Sequence, residues 1–271
     1  MDNRPVGIFD SGLGGLTAAR ALRELLPEEN IIYFGDTARC PYGKRTIGQI
    51  RAMARQDMEL VRSFGAKAII AACGTVSCAA EEDFKTFPVP VFSVIDPGVR
   101  AMAAVEGDGP LGIIATAASI KSGVIHGRLQ ALCPDREIVD APCQNFVELI
   151  EHGHTSPEDG LVQKTVAEYL RPMKEKGVSA LLLGCTHFGF LAESISRYMG
   201  EDVQLISAAR CSAKSMRDYL VENSLTGKGG KDTYYTSGNR AQFCSNASRL
   251  LKEDLNEKVF AVKGLEVPPL C

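Results

Sequence analysis

Two cysteines lie at matching places in the sequence, each at the end of a short apolar run. One run is Ala68-Ile-Ile-Ala-Ala-Cys73 and the other is Ala180-Leu-Leu-Leu-Gly-Cys185. A cysteine thiol has a reference pKa of roughly 8.5, so thiol and thiolate are both accessible near neutral pH. If two thiols face one carbon from opposite sides, one can remove a proton and the other can return one to the opposite face. The pair therefore points to proton transfer that inverts a carbon centre.

Asp10 and His187 are the predicted proton partners of these thiols. His187 follows Cys185 by two residues, and Asp10 ends another apolar run that begins at Val6. A lone buried cysteine is ordinarily an inert core residue. It is the occurrence of two cysteines at corresponding positions that favours a role in chemistry.

Other local patterns carry weaker signals. The glycine-rich turn Ser11–Gly15 opens a helix-like segment and is suited to bind an anion, a carboxylate as readily as a phosphate. Asp10 beside it disfavours a phosphate, and Gly43-Lys44-Arg45 lacks the Ser or Thr of a phosphate-binding loop. His152 and His154 have no further ligands nearby, and no C-x-x-C occurs, so we expect neither a metal nor a nucleotide cofactor.

The elements that must position these residues are strands alternating with helices. Apolar runs at 6–10, 31–35 and 67–73 read as buried strands, and the segments 16–26 and 51–64 have helical periodicity. This alternation predicts βαβ units and a mostly parallel sheet. Ligands of such sheets bind beyond the carboxyl ends of the strands, which is where the two cysteines stand.

The sequence contains an internal repeat. Segments that begin at Val6, Pro27 and Ala68 are similar to segments that begin at Leu111, Pro134 and Ala180, at offsets of 105, 107 and 112 residues. We therefore expect an α/β fold of two pseudo-symmetric domains, each a mostly parallel sheet flanked by helices, with the active site in the cleft between them. The predicted domains are 1–97 plus 208–271 and 98–207, since a turn is expected at 96–98 and the last segment should pack on the first half.

Composition excludes several classes of protein. The chain has 271 residues, enough for about two domains, and 45% apolar and 23% charged residues, which is typical of globular proteins. A net charge of -3 disfavours binding to nucleic acid or to an anionic membrane. No apolar stretch reaches the ~18 residues of a membrane helix. With no secretory signal pattern, the nine scattered cysteines indicate reduced thiols in the cytoplasm.

Five motifs together resemble those of the bacterial glutamate racemases, in the aspartate/glutamate racemase superfamily. They are Asp10-Ser-Gly-Leu-Gly-Gly15, Tyr33-Phe-Gly-Asp-Thr-Ala38, Pro41-Tyr-Gly43, Ala72-Cys73-x-Thr75 and Leu183-Gly-Cys-Thr-His187. The similarity runs from Val6 to about Asn223. It implies a cofactor-independent enzyme that interconverts L- and D-glutamate and supplies D-glutamate for peptidoglycan. It also implies a cytoplasmic protein that is commonly a homodimer.

The resemblance assigns roles residue by residue. It implies that Cys73 takes the proton from the D enantiomer and Cys185 from the L enantiomer, and that Asp10, His187 and Glu151 assist them. The residues that it places against the substrate are Asp10, Ser11, Tyr42, Gly43, Gly74, Thr75, Thr116, Ser119, Thr186 and His187.

Two departures from the family pattern leave alternatives open. Gly74 stands where the family has Asn, and Phe188-Gly189 stands where it usually has Tyr-Pro. Loss of the Asn hydrogen bond should cost about 1.5–3 kcal/mol, or roughly ten- to a hundredfold in substrate affinity. The same chemistry on another acidic amino acid such as aspartate is one alternative. A weakly active binding or regulatory protein on a racemase scaffold is another.

Overall fold

The protein is built on two parallel β-sheets, one from each half of the repeat. The computed structural model describes residues 1–269. The ten strands in this range are β1 (Val6–Asp10), β2 (Ile31–Gly35), β3 (Ala68–Ala71), β4 (Val91–Ser93), β5 (Leu111–Ala115), β6 (Ile138–Pro142), β7 (Ala180–Leu183), β8 (Gln204–Ser207), β9 (Asp232–Thr236) and β10 (Val259–Ala261). The strand orders are β10-β9-β2-β1-β3-β4 and β6-β5-β7-β8. The predicted α/β class with two parallel sheets is thus confirmed.

Helices connect the strands and cover the sheets. The same range contains the α-helices α1 (Leu16–Leu25), α2 (Ile47–Ser63), α3 (Gly74–Ala79), α4 (Glu81–Lys85), α5 (Ile95–Ala103), α6 (Ala117–Ser122), α7 (Val124–Leu132), α8 (Asn145–Glu151), α9 (Gly160–Glu175), α10 (Ala192–Met199), α11 (Ala208–Glu222) and α12 (Arg240–Leu251). Two short 3-10 helices cover Tyr42–Lys44 and Thr186–Leu191. None of the helices within residues 1–269 has both the length and the apolar content to cross a membrane.

The internal repeat is carried through to the strand register. Val6 of β1 pairs with Ile31 and with Ala68 on the two flanking strands. In the second sheet, Leu111 of β5 pairs in the same way with Ile138 and Ala180. The offsets between these residues are 111 − 6 = 105, 138 − 31 = 107 and 180 − 68 = 112, as in the sequence. Four strands of each half therefore follow the same order and pair in the same way.

The last segment of the chain extends the first sheet. Strand β9 pairs with β2 from Asp232 to Thr236, and β10 pairs with β9 on the outer edge. Helix α11 packs against α1 and also against β3 and β4. Helix α5 lies against α11 on one side and against β7 and β8 on the other. These helices fill the space between the two sheets, so one apolar core runs through both halves.

The expected turn at Asp96-Pro97-Gly98 is wrong, since these residues lie in helix α5, which begins at Ile95. Proline is tolerated in the first turn of a helix because the N–H that it lacks would have no partner there. Helix α2 likewise begins earlier than predicted. Thr46 caps it, accepting a hydrogen bond from the backbone N–H of Gln49, and the Gln49 side chain reciprocates.

Candidate active site

One cavity collects every residue that the sequence suggests for the site. Because all the strands are parallel, β1, β3, β5 and β7 present their carboxyl ends at one edge of their sheets, and the two edges face each other. The cavity between them has a volume of about 770 Å³. The predicted residues that line it are Asp10, Ser11, Tyr42, Gly43, Cys73, Gly74, Thr75, Thr116, Ser119, Glu151, Cys185, Thr186 and His187. Their placement in one cleft makes a joint function possible, and their individual roles stay predictions.

Cys73 lies in a buried and electronegative part of the cavity. Its side chain follows β3 and is 6% exposed, with Sγ 3.5 Å from the hydroxyl oxygen of Ser11. Burial raises the pKa of the Cys73 thiol to about 12, and the nearby Asp10 carboxylate acts in the same direction. Cys73 therefore carries its proton at neutral pH in the unliganded site.

The glycine-rich turn after β1 binds a carboxyl group of the protein itself. Asp10 is 1% exposed, and its Oδ1 accepts a hydrogen bond of 2.7 Å from the backbone N–H of Gly12. Burial raises the pKa of Asp10, while the charge of His187 and the N–H groups of Gly12 and Gly15 oppose that rise. These two N–H groups are thus already engaged by Asp10, and the expectation that the turn holds an external anion stays a prediction.

His187 links the second thiol to an acidic residue. Its Nδ1 lies 3.9 Å from Cys185 Sγ, and its Nε2 lies 3.2 Å from Glu151 Oε1. Burial disfavours the imidazolium, but the contacts with Cys185 and Glu151 outweigh it and raise the pKa of His187 to about 10. His187 is therefore a cation at neutral pH, placed to exchange a proton with either neighbour.

The raised pKa of His187 predicts a specific pH dependence of stability. The folded state binds this proton more tightly than the unfolded state, whose pKa is the ordinary 6.5. The resulting stabilisation is fully present below pH 6.5 and is lost as pH rises through about 10. We expect the difference in unfolding free energy between the native protein and His187→Asn to shrink across that range. Urea denaturation of both proteins at several pH values measures it, and a difference that stays constant contradicts the assignment.

The turn from the first half closes tightly on His187. A Cβ atom added at Gly14 would lie 2.6 Å from Thr186 Oγ1 and 2.7 Å from Cε1 of His187, so no side chain fits there. Thr17 also donates a hydrogen bond of 2.9 Å to the carbonyl oxygen of Thr186. The first half therefore holds the imidazole of the second half in place.

We predict that Gly14→Ala lowers the pKa of His187. The added methyl group displaces the ring from Glu151 and Cys185, while the residue stays buried and burial favours the neutral ring. Titration of the histidine ring resonances by NMR measures the change. Gly48→Ala is the matched control, because a Cβ at Gly48 in α2 has no neighbour within 4 Å. An unchanged His187 pKa in Gly14→Ala would contradict the packing argument.

The hydroxyl of Tyr42 is turned away from ligands into a buried charged cluster. It lies 2.7 Å from Asp57 Oδ2 and also contacts Asp36. Arg39 donates to both carboxylates, with distances of 2.6 Å to Asp36 and 2.5 Å to Asp57. Because the hydroxyl is occupied, we expect Tyr42 to offer a substrate its backbone groups, as Gly43 does.

Three hydroxyl groups connect the halves across the floor of the cleft. Thr75 Oγ1 from the first half lies 3.5 Å from Thr116 Oγ1 of the second, and Thr116 lies 3.0 Å from Ser119 Oγ. Each hydroxyl can donate or accept, so the row suits a ligand that carries both ammonium and carboxylate groups.

The α12 wall of the cavity was missed at the sequence level. It comprises Gly238, Asn239, Gln242, Phe243 and Asn246. Once β9 is known to pair with β2 in parallel, the strand-end argument places this wall at the same edge of the sheet. Arg249 of α12 also donates a hydrogen bond of 3.0 Å to the backbone carbonyl of Glu151, joining the first sheet's helix to the second half.

Cys40 is a third thiol that lines the cavity, and no sequence motif pointed to it.

The two remaining departures from the family pattern, Phe188 and Gly189, lie outside the cavity wall. Phe188 is fully buried and packs edge-on against Phe146, with ring centroids 5.2 Å apart. Gly189 packs against Thr17.

The histidine pair is also accounted for by local contacts. His152 Nδ1 lies 2.7 Å from the carbonyl oxygen of Glu148, and His154 Nδ1 lies 2.6 Å from Asp159 Oδ2. The two rings thus serve different partners at the carboxyl end of α8 and the start of α9.

Comparison with known proteins agrees with this architecture. The profile of the Asp/Glu/Hydantoin racemase family matches residues 17–216. The glutamate racemase of Corynebacterium diphtheriae is 40% identical over 259 residues, covering 93% of this chain and 95% of that protein. A glutamate racemase isoform of Bacillus anthracis has a crystal structure that matches with a TM-score of 0.88 at 29% identity, over 97% of this chain and 98% of that one.

A structure that carries a ligand is also similar. The glutamate racemase of Francisella tularensis in complex with D-glutamate matches with a TM-score of 0.85 at 34% identity, over 97% of this chain and 98% of that one. The profile, the relatives and the fold all cover most of the sequence. The chain therefore belongs to the Asp/Glu/Hydantoin racemase family.

Proposed function

We propose that this protein is a glutamate racemase that interconverts L- and D-glutamate by two-thiol proton transfer. The observation that carries the proposal is the placement of Cys73 and Cys185 after equivalent strands of two repeated halves, on one cavity. Each thiol has a different titratable neighbour, Asp10 for Cys73 and His187 for Cys185. The names of the relatives at 34–40% identity support glutamate as the substrate.

The proton inventory of the site suits this reaction. In the L-to-D direction, Cys185 as thiolate removes the α-proton, and Cys73 delivers its own proton to the opposite face. The high pKa of Cys73 keeps that proton in place until the carbanion forms. The reverse reaction exchanges the two roles. His187, held by Glu151, supplies the positive charge beside Cys185, and Asp10 is the corresponding partner of Cys73.

Substrate binding would use the polar groups that border the thiols. The hydroxyls of Ser11, Thr75, Thr116, Ser119 and Thr186 all lie on the cavity wall. Together with the backbone at Tyr42-Gly43 and at Gly74, they offer donors and acceptors for the ammonium and the two carboxylates of glutamate.

The wider setting is also part of the proposal. We propose a cytoplasmic homodimer that needs no cofactor and supplies D-glutamate for peptidoglycan. We propose residues 1–97 plus 208–271 as the first domain and 98–207 as the second. The pairing of β9 with β2 supports the assignment of the last segment to the first domain.

Proton NMR in D2O tests the function directly. We expect purified, reduced protein without added cofactor to erase the α-proton signal of L-glutamate and of D-glutamate, and a chiral assay to find the opposite enantiomer in each case. Faster turnover of aspartate than of glutamate would change the substrate. Absence of exchange with any acidic amino acid, in a folded sample, would favour the binding-protein alternative.

A further inference from the structure

The two halves meet backbone to backbone beside the thiols, at Gly74 and Gly184. A Cβ atom built on Gly74 would lie only 2.7 Å from the carbonyl oxygen of Gly184, a distance that real Cβ atoms essentially never show. The obstacle is a main-chain atom and not the end of a flexible side chain. Any other residue at 74 must therefore move one half relative to the other.

Gly74 is needed here for space and not for backbone conformation. It is the first residue of α3, and it is absent from the glycines with positive φ in the described chain. Cys73 before it has extended backbone angles that any residue adopts. An alanine at 74 would thus meet no conformational penalty of its own, and its effect would report only the approach of the halves.

The opposing residue cannot give way cheaply. The N–H of Gly184 donates a hydrogen bond of 2.8 Å to the carbonyl oxygen of Ile114 on the neighbouring strand. A Cβ on Gly184 itself would lie 3.1 Å from that same oxygen and 3.3 Å from Cδ1 of Ile125. Gly184 is therefore fixed in the second sheet, and pressure from residue 74 would be relieved by widening the cleft.

We propose that the Gly74–Gly184 contact sets the distance between the two thiols, and that Gly74 is a positioning residue for proton transfer. Gly74 directly follows Cys73, and Gly184 directly precedes Cys185, so the contact is one residue from each thiol. The inference rests on the proposed two-thiol function. Proton transfer on both faces of one carbon needs each sulfur in near contact with that carbon. A misplacement of about 1 Å can then cost on the order of 100-fold in rate.

The close approach of Gly74 and Gly184 reverses the expectation that the missing Asn at position 74 weakens the enzyme. An Asn at 74 would add a hydrogen-bonding amide, but its Cβ would also drive Gly184 away. Polar groups already border the position, since Ser119 Oγ lies 3.6 Å from the Cβ site and is hydrogen-bonded to Thr116. Gly74 is thus matched to a narrow cleft that already has hydroxyl groups, and restoring Asn alone should harm the enzyme.

Two variants of Gly74 separate an effect of spacing between the halves from an effect of the missing Asn amide. We expect Gly74→Ala and Gly74→Asn both to lower kcat/KM by about 100-fold, with the loss mainly in kcat and a larger primary isotope effect for α-deuterated glutamate. Gly127→Ala in α7 is the matched control, because its Cβ has no neighbour within 4 Å. Circular dichroism and thermal unfolding establish that each variant is folded.

Two results would overturn the proposal. If Gly74→Asn gains activity while Gly74→Ala does not change, the missing amide is the dominant effect and spacing is not. If crystal structures of the native protein and Gly74→Ala show the same Sγ–Sγ distance, the contact does not set it. The crystallographic comparison needs no activity, so it decides the inference even if the native protein fails to racemise glutamate, which would refute the proposed function separately.

Discussion

Replacing either Cys73 or Cys185 with serine is expected to stop the conversion of L- to D-glutamate and of D- to L-glutamate alike. A serine hydroxyl is a far weaker acid than a thiol, so it neither holds the negative charge of the base nor gives up a proton readily. General acid or base catalysis by one group contributes typically 10²–10⁴-fold, and we expect a loss of at least about 10³-fold.

Both directions must suffer equally in kcat/KM. The two enantiomers have the same free energy in water, so their equilibrium constant is one. In the proposed mechanism, each turnover uses one thiol as base and the other as acid. Polarimetry from each enantiomer measures the two rates. Cys211→Ser is the matched control, because Cys211 in α11 is a partly buried thiol outside the cavity. Full racemisation by either single variant would contradict the two-base assignment.

The single variants also reveal which face each thiol serves. In Cys73→Ser, the remaining Cys185 can remove the proton of L-glutamate and return solvent deuterium to the same face. We expect slow α-proton exchange without inversion from the L enantiomer only, and from the D enantiomer only in Cys185→Ser. Exchange that follows the opposite pattern would interchange the two roles.

Arg39→Met is expected to cause a large loss of stability. Arg39 is 2% exposed and is the cation shared by Asp36 and Asp57, both fully buried. It also donates a hydrogen bond of 3.1 Å to the carbonyl oxygen of Glu266, which holds the C-terminal segment. Removing one partner of a buried ion pair leaves an uncompensated charge and typically costs about 3–5 kcal/mol.

The carboxylates left behind explain why the loss is large. Burial and the charge of Asp36 raise the pKa of Asp57, and the Tyr42 hydroxyl donates a hydrogen bond to this carboxyl group. Without Arg39, the cluster can relax only by taking up a further proton or by opening to water. The backbone at Tyr42-Gly43 would then lose its support at the cavity wall.

Urea denaturation measures the change in unfolding free energy. Arg210→Met is the matched control, because Arg210 is 60% exposed and pairs with an exposed Glu24, an arrangement worth about 0–1 kcal/mol. A loss below about 1 kcal/mol in Arg39→Met would show that the cluster is not the anchor of this loop.

Local sequence was sufficient for the strand ends and insufficient for contacts between distant segments. Cys73 and Cys185 could be located because each directly follows an apolar run, and the parallel arrangement then brings the strand ends together. The wall formed by α12 lies more than 200 residues from Asp10 in the sequence and depends on β9 joining β2. No residue in the wall carries a motif of its own.

The burial of charged residues could not be predicted from the sequence either. Asp57 lies in the middle of α2 among polar residues and looks like a solvated helix position, yet it is fully buried. Its burial depends on Arg39 folding back over the helix, which no periodicity reports. The turn expected at 96–98 failed for a related reason, since Asp-Pro-Gly can open a helix when the following residues pack on a sheet.

The repeated register places Cys73 and Cys185 at one topological position of two half-molecules. A pair of identical halves would surround both thiols with the same neighbours. Neither thiol would then be favoured over the other as the proton donor. In one continuous chain the copies can differ: Asp10 corresponds to Ala115, and Thr75 corresponds to His187, at the offsets of 115 − 10 = 105 and 187 − 75 = 112. Such a difference between the copies lets a site that converts mirror-image molecules at equal efficiency place an imidazole beside one thiol and a carboxyl group beside the other.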